Sequence, residues 1–478
     1  HLYCSVQRCN SALRVLNAAT DEQVNGRVSR IAEMKVLRAH YYFELSRLFN
    51  KIPYFDENVE ISQYPDIPNN EFTRDEILSM LAKEMLDAAE QLPASQPEVG
   101  RIHKYIALAY AAKIKLYQAY QQDEITHAVT SINKELLREV VSLCDQVTAS
   151  NRYGLLDDFQ GLDLVTNENG KESVFAIQYS MNDGTESAGR INWSNLLNSP
   201  GGGSPYGGDG FFLPSQDLIN AYQTDANGLP DFNYQSKSDY SWAVLNNGVY
   251  TLQNTTPNVD PRLDFVVGRP TITWKTYPDK PCEGWVRDKD TYGYNCAKRF
   301  WVSPESSDMF NGWPWGASQL NWQIIRYADI LLWKAEALIE LNEGNGLETA
   351  RDLINQIRNR ARNSAYVKDF NDHSKYAANY LVNPYPADVW NQDYARQALR
   401  WETRLEKALE GERFFDLVRW GIVETTMNKY ITAESDNRIY YANAHFTGGN
   451  DEYYPVPNNQ YGFSGGKYVQ NPGYAPFN

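Results

Sequence analysis

Residues 402–421 read ETRLEKALEGERFFDLVRWG, and within them Glu410, Arg413, Asp416 and Arg419 recur at intervals of three. Residues three apart share one face of an α-helix. Charges of opposite sign therefore meet along that face, and the spacing predicts a salt-bridged strut within a helix over 391–420. A catalytic carboxylate needs a pKa lifted by burial or by a like charge, whereas each acid here is neutralised by the arginine beside it. The stretch predicts scaffold rather than chemistry.

Helical periodicity continues outward from it. Tyr327, Leu331, Ala335, Leu338 and Asn342 trace one face, and Ala350, Leu353, Ile354, Ile357 and Ala361 a second, which predicts a helical hairpin. Over 31–50, Met34, Leu37, Tyr41, Leu45 and Leu48 form one apolar stripe. Thr73 and Glu76 make a capping box for a helix whose stripe of Ile77, Leu81, Met85, Ala88 and Leu92 stops at Pro93. Over 102–122, Ala107, Ala109, Ala111 and Ala112 let a neighbouring helix approach closely, and a further helix is expected over 134–150. Helices of similar length arriving in pairs predict a mainly α fold of tetratricopeptide-like helical pairs, an α-solenoid.

The pattern changes between 153 and 321. Gly201-Gly202-Gly203, Gly207-Gly208, many Pro and Asn, and short alternating runs such as VFAI at 174–177 replace the helical period, predicting a long loop-rich insertion with few short strands. The chain thus reads as an N-terminal helical scaffold over 1–152, a ligand-binding insertion over 153–321, and a C-terminal helical part over 322–478 with an extended tail stiffened by Pro455, Pro457 and Pro472. Long loops held by a regular scaffold are where binding residues concentrate.

Bulk properties narrow the function. A length of 478 residues allows two or three average domains, or one large domain with an insertion. With 60 acidic against 45 basic residues, the net charge of −15 repels phosphate backbones and anionic lipid, so nucleic acid is not an expected partner. The 33 Tyr and 12 Trp, in a chain of mean hydropathy −0.57, place much aromatic area near water. No apolar run approaches the ~20 residues of a membrane span. The five cysteines show no C-x-x-C spacing and the six histidines no H-E-x-x-H, so no metal site is expected. Cys4 reads as helical rather than lipidated, and whether Cys282 and Cys296 are joined stays open. Residues 462–466 satisfy G-x-S-x-G, but no apolar strand precedes them and no histidine follows Ser464, so they read as a glycine-rich turn.

Four separated segments share one likeness. They are Arg38-Ala39-His40-Tyr41-Tyr42-Phe43 leading to Lys51-Ile52-Pro53; Arg326-Tyr327-Ala328-Asp329 with Ile354-Asn355-Gln356-Ile357-Arg358; Glu402 through Gly421; and Tyr454-Pro455-Val456-Pro457 with Asn471-Pro472-Gly473-Tyr474. In order and spacing the chain resembles the SusD/RagB family, departing from its usual phrase at Thr403 and Lys407. The resemblance implies the shared tetratricopeptide-like fold. It also implies an outward-facing outer-membrane lipoprotein of Bacteroidetes, touching the membrane only through an N-terminal lipid anchor absent from this stretch. Its implied partners are an oligosaccharide and a SusC-like TonB-dependent transporter.

Trp274, Trp285, Trp301, Trp313 and Trp315 fall in one loop-rich stretch with Tyr277, Tyr292 and Tyr294. Sugar rings bury their C–H faces against flat aromatic rings, while their hydroxyls need fixed partners such as Asp279, Lys280, Arg287, Asp288 and Asn295. Trp274, Trp285 and Trp313, beside the turn residues Pro278, Gly284 and Pro314, are the expected platforms. Trp315, Tyr277 and Tyr292 flank them, and Tyr54 and Trp242 contribute from farther away. The competing reading makes these rings core plugs beneath the insertion. The expected activity is capture without cleavage, by a protein that is not an enzyme and needs no cofactor, with a loop-stiffening calcium ion left open. The alternatives are a peptide-binding relative, a purely structural lid, and a glycoside hydrolase, whose carboxylate separation sequence does not show.

Overall fold

The computed structural model describes residues 1–477 except 187–188, 199–200, 202, 247–248, 253–256, 276, 283, 294 and 314. Its first third is a run of helices, α1 (Leu2–Ala18), α2 (Arg27–Phe49), α3 (Arg74–Gln91), α4 (Lys104–Ala119) and α5 (Lys134–Ala149), each packed on the one before. The capping box opens α3 as its sequence predicts: Thr73 Oγ1 accepts the Glu76 N–H at 3.3 Å, and the Glu76 carboxylate accepts the Thr73 N–H at 2.8 Å. Helix α4 is buried on almost every side, and its alanines 107, 109, 111 and 112 let α3 and α5 close on it.

Helix α4 ends earlier than its periodicity predicts. Tyr120–Gln122 form strand β1, which hairpins onto β2 (Val129–Ile132). The chain leaves the helix where its backbone pairs with β2, and there the buried Tyr120 hydroxyl donates to Glu336 at 2.7 Å.

The stack is continuous in space although the insertion interrupts it in sequence. Helix α6 (Tyr327–Leu341) packs directly on α5, α7 (Gly346–Asn363) packs on α6, and α8 (Gln392–Glu406) closes on both. The insertion leaves and returns at one place, because β3 (Ser173–Ile177) pairs antiparallel with β4 (Trp322–Arg326), Ile177 opposite Trp322 and Ser173 opposite Arg326. The fold is mainly helical, and every sheet among the described residues has two strands.

The single helix expected over 391–420 is two. Helix α8 stops at Glu406, Leu409 and Gly411 adopt φ of +67° and +82°, and α9 (Arg413–Arg419) follows, then α10 (Val423–Glu434). Of the predicted strut, the Asp416–Arg419 pair forms at 2.9 Å. Glu410, before the break, turns instead to Arg326, Arg299 and Lys407, while Arg413 stacks over Trp420. The break frees Lys407 and Glu410 from the helical register, so their charged ends meet partners on β4, α6 and the insertion.

These groups belong to a buried ion network. Arg326 Nη1 donates to Glu172 at 2.7 Å and Glu406 at 3.0 Å, and its Nη2 to Glu410 at 2.8 Å. Arg262 joins Asp260, Glu402 and Glu406, Arg358 joins Glu402, and Arg360 joins Glu172 and Glu406. Burial alone would raise the Glu406 pKa, but Arg360, Arg326 and Arg262 outweigh it and hold the carboxyl at about 2. Removing one member strands the others as uncompensated charge, so Glu406→Ala is expected to lower stability by about 3–5 kcal/mol in urea unfolding. A depressed folded pKa contributes stability that is present above the ordinary carboxylate pKa of 4.5 and lost as pH falls toward 2. The same variant should therefore show a shallower acid transition in that window.

Candidate functional site

The tryptophans of the insertion divide by burial. Trp274 and Trp285, 1% and 3% exposed, sit with Trp301, Tyr206, Cys282 and Cys296 in a small core separate from that of the helices. Trp274 and Trp285 meet edge to face with centroids 5.0 Å apart, Trp274 Nε1 donates to the Tyr206 hydroxyl at 2.9 Å, and that hydroxyl donates to the Val302 carbonyl at 2.7 Å. A Cβ at Gly268 would lie 2.4 Å from the Trp274 ring, so glycine is required for the ring to seat. The expectation that Trp274 and Trp285 are exposed platforms is thereby corrected. Part of the insertion packs with the helical part, Leu263 and Val266 clustering with Leu405 and Ala408, while Trp274, Trp285 and Trp301 turn inward to build a small core of their own.

Trp242 is corrected in the same way: it is buried, donates from Nε1 to the Pro270 carbonyl at 3.0 Å, and is covered by the Arg269 guanidinium. Tyr54 is half-buried against Tyr42 and Phe72 on the helical core and does not join the insertion aromatics. Tyr277 pairs with Trp274 in a short strand. Its side chain, those of Asp279 and Lys280, and all of Tyr294 lie outside the described residues. Cys282 and Cys296 stand as neighbouring buried thiols, with Cys282 Sγ donating to the Gly268 carbonyl at 2.9 Å. Ser464 is also buried, its hydroxyl donating to the Tyr461 carbonyl in a turn after a short helix, Asn458–Phe463.

A second set of aromatic rings faces water. Trp313, Trp315 and Trp193 are 61%, 50% and 48% exposed. Their segments are neighbours: the Asn192 N–H donates to the Ser318 carbonyl at 2.9 Å, and Asn195 Nδ2 donates to the Gly316 carbonyl at 3.4 Å. Trp315 lies against Gly207, where a Cβ would come 3.2 Å from its own. Nearby, Arg287 bridges to the Gly208 carbonyl and the Asp209 carboxylate. Sequence reasoning does not single out Trp193; the available signal is its polar setting, Asn192-Trp193-Ser194-Asn195. Tyr292, also exposed, packs instead with Tyr440, which in turn packs on Tyr441.

The insertion also holds a cleft of about 730 Å³ whose lining includes Ser180, Asn182, Arg190, Glu305, Ser306 and Asn311. Hydroxyls, amides and charged groups dominate it, which suits a ligand rich in hydroxyls. Elsewhere in the insertion, Glu168 accepts the Asn321 N–H at 2.5 Å. Burial pushes its carboxyl up to about 7, against the lowering effect of that bond and with some help from Asp308. Glu168 is not among the groups lining the cleft, so its raised pKa reflects a partly buried structural acceptor. Among the described residues, no group of three or more His, Cys, Asp or Glu side chains is placed to hold a metal ion.

A family model for the SusD family matches residues 171–474. The chain belongs to the SusD family. It is 22% identical over 439 residues to a SusD-like protein of Bacteroides ovatus, an alignment that covers 87% of this chain and 64% of that relative's length. Among solved structures, a SusD homologue from Bacteroides thetaiotaomicron superposes with a TM-score of 0.70 at 18% identity, covering 99% of this chain and 84% of the other. Surface glycan-binding protein A from the same species, in complex with laminarihexaose, gives 0.65 at 19% identity over 98% and 84%. The SusD-family fold is thus shared along nearly the whole chain, insertion included.

In this SusD-family chain the Glu168 carboxyl sits where its pKa is raised in the fold, so its contribution is fully present below 4.5 and lost as pH rises through about 7. Glu168→Gln keeps an oxygen for the Asn321 N–H and removes the charge. The melting temperature should be unchanged near pH 4 and higher at pH 8, by the equivalent of about 1 kcal/mol once solvent screening is allowed for. Thermal melts at the two pH values check this, and an equal shift at both would contradict it.

Proposed function

We propose that this protein captures a glycan at the outer cell surface without cleaving it and hands it to a TonB-dependent transporter. The observation that carries the reading is the exposed trio Trp193, Trp313 and Trp315 on adjoining loops of the insertion, which also holds a polar cleft of about 730 Å³. Flat rings bury sugar C–H faces, and the cleft supplies partners for the hydroxyls. SusD-family membership supports it, as does the laminarihexaose bound by the structural neighbour. In this reading the insertion over 153–321 carries the ligand and the helical parts over 1–152 and 322–478 hold it. Among the described residues no helix is long and apolar enough to cross a membrane, which is compatible with attachment through an N-terminal lipid.

The test is calorimetry against a panel of oligosaccharides that includes laminarihexaose, with the sugars recovered and analysed by chromatography. Intact sugar and saturable binding are expected, unchanged by EDTA because no cofactor is needed. Trp315→Ala and Trp193→Ala should each weaken binding about tenfold, some 1.4 kcal/mol, with little change in the urea midpoint. Trp274→Ala should instead destabilise the insertion by about 3–5 kcal/mol through the cavity it leaves. Cleaved products would make the protein an enzyme, and silence across the panel with binding to a peptide pool would replace the glycan by a peptide.

A further inference from the structure

Cys282 and Cys296 are the two cysteines of the insertion, and the fold brings them to one spot. Cys296 stands directly opposite Gly268 in the short ladder that Cys296–Ala297 forms with Val267–Gly268, and Cys282 Sγ donates to the Gly268 carbonyl at 2.9 Å. Directly opposed residues of an antiparallel pair hold their Cα atoms about 4.5–5.5 Å apart, so both cysteines abut the same glycine. The two thiols are also hydrogen-bonded to each other. From such contact, the ~2.05 Å of an S–S bond is reached by turning two side chains.

Both belong to the small core that Tyr206, Trp274, Trp285, Val286 and Trp301 complete, with Leu213 and Met309 at its margin. A hydrophobic cluster of this size buries too little apolar surface to hold a loop-rich segment by itself, and in oxidising compartments such segments are held by cross-links. The chain between the two cysteines includes Arg287, whose bonds to the Gly208 carbonyl and the Asp209 carboxylate tie it to the segment against which Trp315 lies. Burial, with Cys282 alongside, pushes the Cys296 thiol well above its ordinary range. A thiol so placed is inert once the core has closed, so any oxidation of the pair belongs to folding.

We propose that Cys282 and Cys296 form a modification site at which an intramolecular disulfide is made, stapling the core that the insertion builds for itself. The inference rests on the outer-surface reading above only for its oxidising setting. The oxidant is a thiol–disulfide oxidoreductase. One cysteine, as its thiolate, attacks the oxidant's disulfide and forms a mixed disulfide; the other then displaces the oxidant's remaining sulfur. Two S–H bonds and the oxidant's S–S bond break, one S–S bond forms in this chain, and two electrons and two protons end on the oxidant as its dithiol. The bridge closes the loop 282–296 and removes conformations from the unfolded chain, which favours the folded insertion.

The experiment uses the full chain in a Cys4→Ser background, which removes the exposed thiol. It is exported to the oxidising periplasm of an expression host, and its remaining thiols are trapped in denaturant with N-ethylmaleimide. Trypsin places Cys282 in the peptide 276–287 and Cys296 in 290–298, since Lys280 precedes a proline. Mass spectrometry should find these two peptides joined before reduction and separate after it. The same chain made in the reducing cytoplasm should melt roughly 5 °C lower, a difference that the double variant Cys282→Ala, Cys296→Ala abolishes. Maleimide on both cysteines, or either one joined to Cys9 or Cys144, would overturn the bridge, and equal melting of the two preparations would overturn its role as a staple. A joined pair in a protein that binds no glycan would remove the glycan reading and leave the bridge; a bound glycan with both cysteines alkylated would do the reverse.

Discussion

The Arg326 guanidinium donates to Glu172, Glu406 and Glu410 from a buried position at the end of β4, where the insertion re-enters the helical stack. Around it, Arg262, Arg299, Arg358, Arg360, Lys275 and Lys407 meet Asp163, Asp260, Asp329 and Glu402 together with the same three acids. Taking one of these ions from water would be prohibitive alone. It is tolerable because every charge finds an opposite one in bidentate or shared geometry. These partners come from the insertion, from β4, from α6, α7 and α8 and from the α8–α9 break, so the network closes only when all of them are in place. It acts less as a source of net stability than as a condition on how the insertion docks.

Beyond that junction, part of the insertion packs against α8 and part builds its own interior. Tyr206, Trp274, Trp285 and Trp301 do so, at a distance from the helical core, and glycine at 268 is what lets the largest ring in. With those rings spent on packing, Trp193, Trp313 and Trp315 are the tryptophans of the insertion that face water among the described residues. The same residue type thus takes two settings, buried and exposed, within one stretch of chain. A loop supplies reach and variation, and a rigid base supplies position.

Two carboxylates show how the setting decides the sign of an electrostatic effect. Glu406 is fully buried yet held low because three arginines converge on it, whereas Glu168, less buried, is pushed up because a single backbone N–H is a weak counterweight to lost hydration. One closes the network, and the other accepts the Asn321 N–H within the insertion.

The amino-acid pattern determined the helical stack on its own. Apolar stripes at three and four residues, the Thr73–Glu76 cap and the alanines of α4 are local signals whose physics does not depend on distant residues. It also marked the 402–421 stretch as scaffold. Tertiary structure decided what local periodicity does not encode. Tyr120 left its helix for the pairing with β2, and the helix over 391–420 broke so that Glu410 could meet Arg326. Trp274, Trp285 and Trp242 went inward while Trp193 came to the surface. In a loop-rich segment nothing in the sequence says which ring faces water, because burial there is settled by contacts between residues far apart in the chain.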